Sequence, residues 1–416
     1  MRALASTVGM LWVLAIAGCG GGGGGDTQPN GGTASPNVIG SSLPLPELLG
    51  GGGATEAGST ACSDNFTPER VIAGDNCDPD LNRARFCPLT TNYVMSLSTI
   101  QACSGVTISE HLVSGGGLNT KYVAIRRSSG TPKAVYLALH YLEAQPEYFA
   151  NLTRLTELAK ARDVLILMPF APALVDTSVL DGSDLLGALP LPLGAADLTE
   201  GLSLSAVQTS VLAPWPLTTL QPIENYLQLL DNVVSDGRGR FDGRGLPLYV
   251  SSLSNGVPMA YFYACGRAER VDAVLAVAGA QSFESAAACQ PSRPVGLVIV
   301  HGTLDPVAPY IGIRLVQQSP RETYDSFKRL NSCGGTDRQA QMVNDGGSVQ
   351  IDFTPSCAQG RRAVLASANF NGHNWPGDDT NPALGIELPL GPFGPNIDAI
   401  DATIQGYDLL RYAAGS

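Results

Sequence analysis

Ser254 stands at the end of the apolar run Leu248-Tyr249-Val250-Ser251-Ser252-Leu253, with Asn255 and Gly256 directly after it. A short buried strand that turns sharply into a helix lifts the turn residue above the sheet, close to the first helical N–H groups. Such a turn requires small neighbours, and Ser252 and Gly256 supply them in an S-x-S-x-G pattern. Pro258 suits the helix beyond, because the N–H it lacks would have no partner in a first turn. A hydroxyl presented in this way is placed to attack an acyl carbon. It is a weak nucleophile alone, so it needs a base, and the base needs a carboxylate to orient it and stabilise its cation.

The chain has four histidines. His111 lies in a polar stretch, His140 ends the run Ala134–Leu139, His301 opens His301-Gly302-Thr303-Leu304-Asp305, and His373 lies in Asn371-Gly372-His373-Asn374-Trp375. Residues just beyond the carboxyl ends of parallel strands gather along one sheet edge, so Ser254, Asp305 and His373 are expected to converge there. Their order, serine then acid then histidine, is the one that accompanies a strand-turn-helix serine. His301 is an alternative base, although it lies only four residues before Asp305 and leaves His373 without a role. As a plainer alternative, Asp305 before Pro306 could start a turn and His373 could pack within its loop. Donors for the oxyanion are expected from the Asn255 N–H and from the backbone of Tyr141 and Leu142, after the earlier strand.

Several elements must hold these residues. Tyr122–Ile125, Ala134–Leu139, Val164–Met168, Leu246–Val250, Val274–Ala278, Val295–Val300 and Ala363–Ala368 read as strands, most of them continuous apolar runs of the kind buried on both faces of a parallel sheet. Helices are expected over 146–161, 223–234, from the serine turn to about 263, over 321–330 and over 397–412. Alternation of strand and helix points to an α/β domain over residues 105–416. Residues 169–222 break the pattern, being rich in Leu, Pro, Gly, Ser and Thr with no Lys or Arg. A stretch of that length inside a domain is expected to be a lid or substrate wall, with Trp215 between two prolines, or else a surface decoration.

The N-terminus reads as an export signal over 1–18: Arg2 supplies the charge, and Val8–Ile16 is a mostly apolar run too short to span a bilayer. Ile16-Ala17-Gly18-Cys19 is similar to a bacterial lipobox, which makes Cys19 the expected lipid-bearing first mature residue, with a plain signal peptide as the alternative. The Gly/Ser/Pro/Thr-rich stretch 19–61 would then be a flexible tether. Eight further cysteines remain: Cys62, Cys77, Cys87, Cys103, Cys265, Cys289, Cys333 and Cys357. An even set in an exported chain suggests disulfides. Proximity favours Cys265 with Cys289, Cys333 with Cys357, and two bridges pinning an extension over 62–104. No C-x-x-C spacing occurs and histidine is scarce, so neither metal nor cofactor is expected. With 416 residues, 44% hydrophobic content and a net charge of −12, the chain can bury a large core and lacks the basic face that nucleic acid requires. A neutral or apolar substrate fits that charge better than a polyanion does, and a monomer is expected.

Ser254-Asn255-Gly256 with Met259-Ala260, His301-Gly302-Thr303-x-Asp305-Pro306-Val307-x-Pro309-Tyr310, and Gly372-His373-x-Trp375-Pro376-Gly377 together resemble the polyhydroxybutyrate depolymerase and feruloyl esterase group of α/β hydrolases. The resemblance spans about residues 120–412. It implies an α/β-hydrolase fold and a carboxylester hydrolase with Ser254 as nucleophile, Asp305 as acid and His373 as base. It also makes Trp375 a candidate substrate contact, beside Trp215 and Tyr310. Ser252 and Tyr141 stand where the group has glycines, and no separate polymer-binding domain follows. The implied substrates are polyhydroxyalkanoate-type polyesters or their oligomers, or plant phenolic esters. A catalytically silent surface-binding module and a peptidase are the other readings of this fold.

Overall fold

The computed structural model describes residues 37–39, 62, 89–90, 97–141, 146–172, 175–176, 210–212, 215–216, 223–344, 347–377 and 400–415. Cys19, Cys77, Cys87 and Leu142 lie outside them, as do the export signal and most of the tether. Residues 35–416 make up one compact unit.

The described strands are β1 (Asn37–Ile39), β2 (Leu89–Thr90), β3 (Val106–Gly115), β4 (Leu118–Arg127), β5 (Ala134–Leu139), β6 (Val164–Pro169), β7 (Val175–Asp176), β8 (Ser210–Leu212), β9 (Leu248–Leu253), β10 (Ala273–Val277), β11 (Gly296–Gly302), β12 (Arg338–Asn344), β13 (Gly347–Phe353) and β14 (Ala363–Ala368). The described α-helices are α1 (Pro146–Leu152), α2 (Leu155–Arg162), α3 (Ile223–Arg240), α4 (Gly256–Gly266), α5 (Phe283–Ala288), α6 (Pro320–Leu330) and α7 (Ile404–Ala414). Eleven strands form one sheet in the order β1-β12-β13-β14-β11-β10-β9-β5-β6-β4-β3. From β6 to β14 every pairing is parallel. The flanking pairs at both edges are antiparallel.

Strand residues alternate between two cores. Tyr136, Ile166, Tyr249, Leu275 and Val298 pack toward α1, α2 and α7, while Leu137, Leu165, Val250, Val274 and Ile299 pack toward α3, α4 and α6. Both faces are covered, which is why the central strands are apolar throughout. The order of connections reverses between β5 and β9. A crevice opens at such a reversal, outside the carboxyl ends of the strands.

Three expectations needed correction. The helix expected over 146–161 is two helices, broken at Thr153-Arg154 where Arg154 has φ 46°. The break admits partners: Thr403 Oγ1 donates to Thr153 O at 2.9 Å, and Arg154 pairs with Asp401 at 2.7 Å. The hairpin β12–β13 and the edge strand β3 were not expected, because in the hairpin polar residues alternate with buried ones such as Met342, Val349 and Ile351, β3 has no fully buried residue, and neither leaves a continuous apolar run. Within 169–222, β7 and β8 join β2 of the N-terminal extension in a small antiparallel sheet, so part of that segment has regular structure.

The bridges Cys265–Cys289 and Cys333–Cys357 are formed, and Cys62 pairs with Cys103. The end of the extension is also tied down by hydrogen bonds, with the Gln101 N–H on Asn151 Oδ1 at 2.8 Å and Thr156 Oγ1 on Gln101 O at 2.6 Å.

Candidate active site

Ser254 follows β9 immediately and has φ 52°, a conformation that a residue with a side chain rarely adopts. Two backbone bonds hold it there. Its N–H donates to Val277 O at the end of β10 (3.0 Å), and its carbonyl accepts from the Val257 N–H (2.9 Å). The turn has no space to spare, since a Cβ on Gly256 would lie 2.5 Å from Leu139 O and 2.7 Å from His140 O. Only glycine lets the start of α4 come this close to the end of β5. Ser252 replaces the commoner glycine without leaving an orphan hydroxyl, because its Oγ donates to Leu275 O at 3.1 Å.

Asp305 and His373 arrive from loops after β11 and β14, which are neighbours. The two loops touch backbone to backbone: Leu304 N–H donates to Asn371 O (2.9 Å), and a Cβ on Gly302 would sit 2.2 Å from that same oxygen. Trp375, two residues beyond the histidine, is buried and donates from Nε1 to Thr403 Oγ1 at 2.9 Å. Through Thr403 it is linked to the break between α1 and α2. The expected substrate contact is thereby corrected: the indole is an anchor under the histidine loop, closed off by core packing.

The three side chains meet. His373 Nε2 lies 2.7 Å from Ser254 Oγ, and His373 Nδ1 lies 2.8 Å from Asp305 Oδ2. Asp305 is buried and fully occupied. Oδ1 accepts the N–H groups of Val307 (2.9 Å) and Ala308 (2.8 Å), and Oδ2 faces His373 and, at 3.2 Å, His301 Nε2. Burial alone would raise this carboxyl, but the charge and hydrogen bonds of the histidines, His373 foremost, outweigh it and hold the group well below the usual carboxylate range. An acid kept ionised in this way can orient a histidine and stabilise its cation. The arrangement can therefore take a proton from Ser254 and return it to a leaving group.

On the other flank of the serine, the chain leaving β5 is braced by His140, the first residue beyond the strand. His140 is buried, its Nδ1 donates to Tyr141 O at 2.6 Å, and its Nε2 accepts the Ala171 N–H at 3.1 Å. Desolvation pushes its pKa down to about 4, with the Tyr141 carbonyl opposing. The ring is thus a neutral strut at ordinary pH. Asn255 heads α4, where backbone N–H groups have no helical partner. Its side chain grips Trp215, accepting that residue's N–H at 2.8 Å and donating to its carbonyl at 3.2 Å. Trp215 is buried, with its ring 5.4 Å from that of His140. It anchors the insertion beside the site. Tyr310 is half-buried, with its hydroxyl 2.5 Å from Ser367 Oγ and its ring edge-on to His301. Residue types alone led to Ser254, Asp305 and His373, but not to the bracing by His140 and the Asn255 side chain. A histidine directly after a buried strand was the available signal for the first; nothing in the sequence pointed to the second.

No group of histidine, cysteine and carboxylate side chains suited to a metal ion occurs among the described residues.

No family model matches this chain. Over 148 residues it is 28% identical to feruloyl esterase D of Neurospora crassa, a stretch covering 36% of this chain and 44% of that enzyme. The chain thus spans less than half the length of that relative. Among solved structures, acetyl xylan esterase from Aspergillus awamori superposes with a TM-score of 0.41 at 10% identity, covering 64% of this chain and 94% of that one. A dienelactone hydrolase-like promiscuous phosphotriesterase from metagenomic libraries gives 0.42 at 12% identity, covering 73% and 95%. The doubly wound sheet, with a serine on the strand-turn-helix beside its switch point, defines the α/β-hydrolase fold.

Proposed function

We propose that the protein is a serine carboxylester hydrolase working through an acyl-enzyme. The observation that carries this is the continuous path from Ser254 Oγ to His373 Nε2 (2.7 Å) and from His373 Nδ1 to Asp305 Oδ2 (2.8 Å). In this reading Ser254 attacks the ester carbonyl while His373 takes its proton, and the N–H groups of Asn255 and Tyr141 meet the oxyanion. His373 then protonates the departing alkoxide, and water repeats the sequence to release the acid.

The preferred substrate is an apolar polyester or its oligomers, of the polyhydroxyalkanoate type. Supporting it are Leu304, Ile311, Leu315, Val316 and Phe370, five of the six exposed large hydrophobic residues among those described. All five lie on the loops after β11 and β14, which also carry Asp305 and His373. Leu315 (φ 65°) and Phe370 (φ 63°) occupy the left-handed region, a strained setting for bulky side chains. The similarity to feruloyl esterase D favours a phenolic ester as the second reading. Export and a lipid anchor on Cys19 complete the proposal, on the strength of the N-terminal motif alone.

Purified protein lacking its first 19 residues is to be assayed on p-nitrophenyl butyrate, 3-hydroxybutyrate oligomers and methyl ferulate, beside Ser254→Ala. The expected result is ester hydrolysis with kcat lowered about ten-thousandfold or more in the variant. Wild-type protein inert on every ester, or an alanine variant that keeps its rate, overturns the reading. The oligomer-to-ferulate ratio of kcat/KM separates the two substrate classes, and Cys19→Ala should move the full-length protein from the membrane to the aqueous fraction.

A further inference from the structure

His301 is a buried histidine to which the reaction above gives no part. It sits near the end of β11, one residue before the glycine at the loop contact, with its side chain closed to solvent. Its Nε2 lies 2.7 Å from Ala308 O and 3.2 Å from Asp305 Oδ2. Both are acceptors, so Nε2 carries a proton. The other nitrogen, Nδ1, is buried without a hydrogen-bond partner. A second proton there would be an unpaired buried donor, which is costly, so the geometry selects the neutral tautomer. The groups facing the ring are Asp305, the edge of Tyr310 at 5.9 Å and, across the carboxylate, His373.

Asp305 Oδ2 therefore lies between two imidazoles, while Oδ1 is held by two backbone N–H groups. We propose that His301 is a positioning residue: by donating to Asp305 Oδ2 and to Ala308 O together, it locks the carboxylate and its loop in register with His373. This rests on the serine-hydrolase reading. The locking has two consequences. Rotation of the carboxylate away from His373 is prevented, and its negative charge is shared between two donors, so His373 receives less than the whole of it. Removing His301 leaves the carboxylate free to turn from His373 for part of the time, which lowers kcat, and wherever the pair is made the charge that His301 shared falls on His373 alone, so its protonated form is favoured and the acid limb of the rate profile moves to higher pH.

The test compares wild type, His301→Phe and His301→Gln, the last keeping an N–H donor. Folding is checked by thermal unfolding, kcat and kcat/KM on p-nitrophenyl butyrate are followed against pH, and the downfield proton resonance of His373 Nδ1–H, assigned by its loss in His373→Ala, is recorded. His301→Phe should show kcat lowered about ten- to a hundredfold at little changed KM, a higher acid limb and a displaced resonance. His301→Gln should recover part of each. A folded His301→Phe with unaltered limb, kcat and resonance overturns the proposal. So does an equal loss in both variants with no movement of the limb, which is the mark of packing alone. If the wild type hydrolyses no ester, the functional reading fails and the resonance decides the role of His301 by itself.

Discussion

At the scale of single residues, three histidines share the neighbourhood of one serine, and their surroundings set them apart. His373 reaches Ser254, His301 backs Asp305, and His140 holds the chain beyond β5. For His140 the sign of the pH effect follows from its environment. Burial lowers its folded-state pKa to about 4, against about 6.5 for an unfolded chain. Its contribution to stability is then complete above about pH 6.5 and is lost as the pH falls toward 4. Between pH 7.5 and pH 5 that loss is about 2 kcal/mol. Urea unfolding at those two pH values should therefore show a difference in stability that shrinks by about this amount in His140→Gln. An unchanged difference would mean that His140 does not titrate with folding. The convergence of Ser254, Asp305 and His373 was legible from residue types and chain order, since a hydroxyl, an acid and an imidazole placed after apolar runs have few other uses in common. The second donor on Asp305 was not: with His301 and His373 both in view, the spacing from Asp305 made them competing bases, whereas in three dimensions they occupy the same carboxylate oxygen from two sides.

At the scale of elements, the site is a product of strand ends and of two close backbone approaches. Continuous apolar runs placed seven of the strands to within four residues at either end, two of them at their observed bounds, because burial on both faces selects for an apolar composition. The strands with alternating patterns escaped that criterion. The contact at Gly302 makes a sharper prediction. A methyl group there would meet Asn371 O at 2.2 Å and Gly372 O at 2.4 Å, both of them backbone atoms that cannot swing aside. Gly302→Ala must part the loops bearing Asp305 and His373. The expected outcome is kcat on p-nitrophenyl butyrate reduced about a hundredfold or more, with secondary structure by circular dichroism preserved. Full activity in this variant would show that the loops can separate without cost.

At the scale of the whole molecule, the Cys265–Cys289 bridge ties the far end of α4, the helix that begins at the serine turn. Cys265 is in the last turn of α4 and Cys289 follows α5, closing a separation of 24 residues. A loop of that size contributes about 3 kcal/mol, mainly by restricting the unfolded chain. The double variant Cys265→Ser/Cys289→Ser should lose about that much in chemical unfolding and keep its KM on a small ester. A changed KM would mean that the far end of α4 is felt at the serine turn. The pairing was legible from proximity in the chain, whereas the tie between the extension and the α1–α2 break was not, since it is made by hydrogen bonds of Gln101, Asn151 and Thr156 that no composition announces.

The two moorings of the insertion have a consequence for engineering. Ala171 is fastened to His140 and Trp215 to Asn255, so two points of the insertion are tied to residues that border the serine turn. A library of replacement segments spliced after Ala171 and before Trp215 would vary the chain between these two ties while leaving in place the strands and loops that carry Ser254, Asp305 and His373.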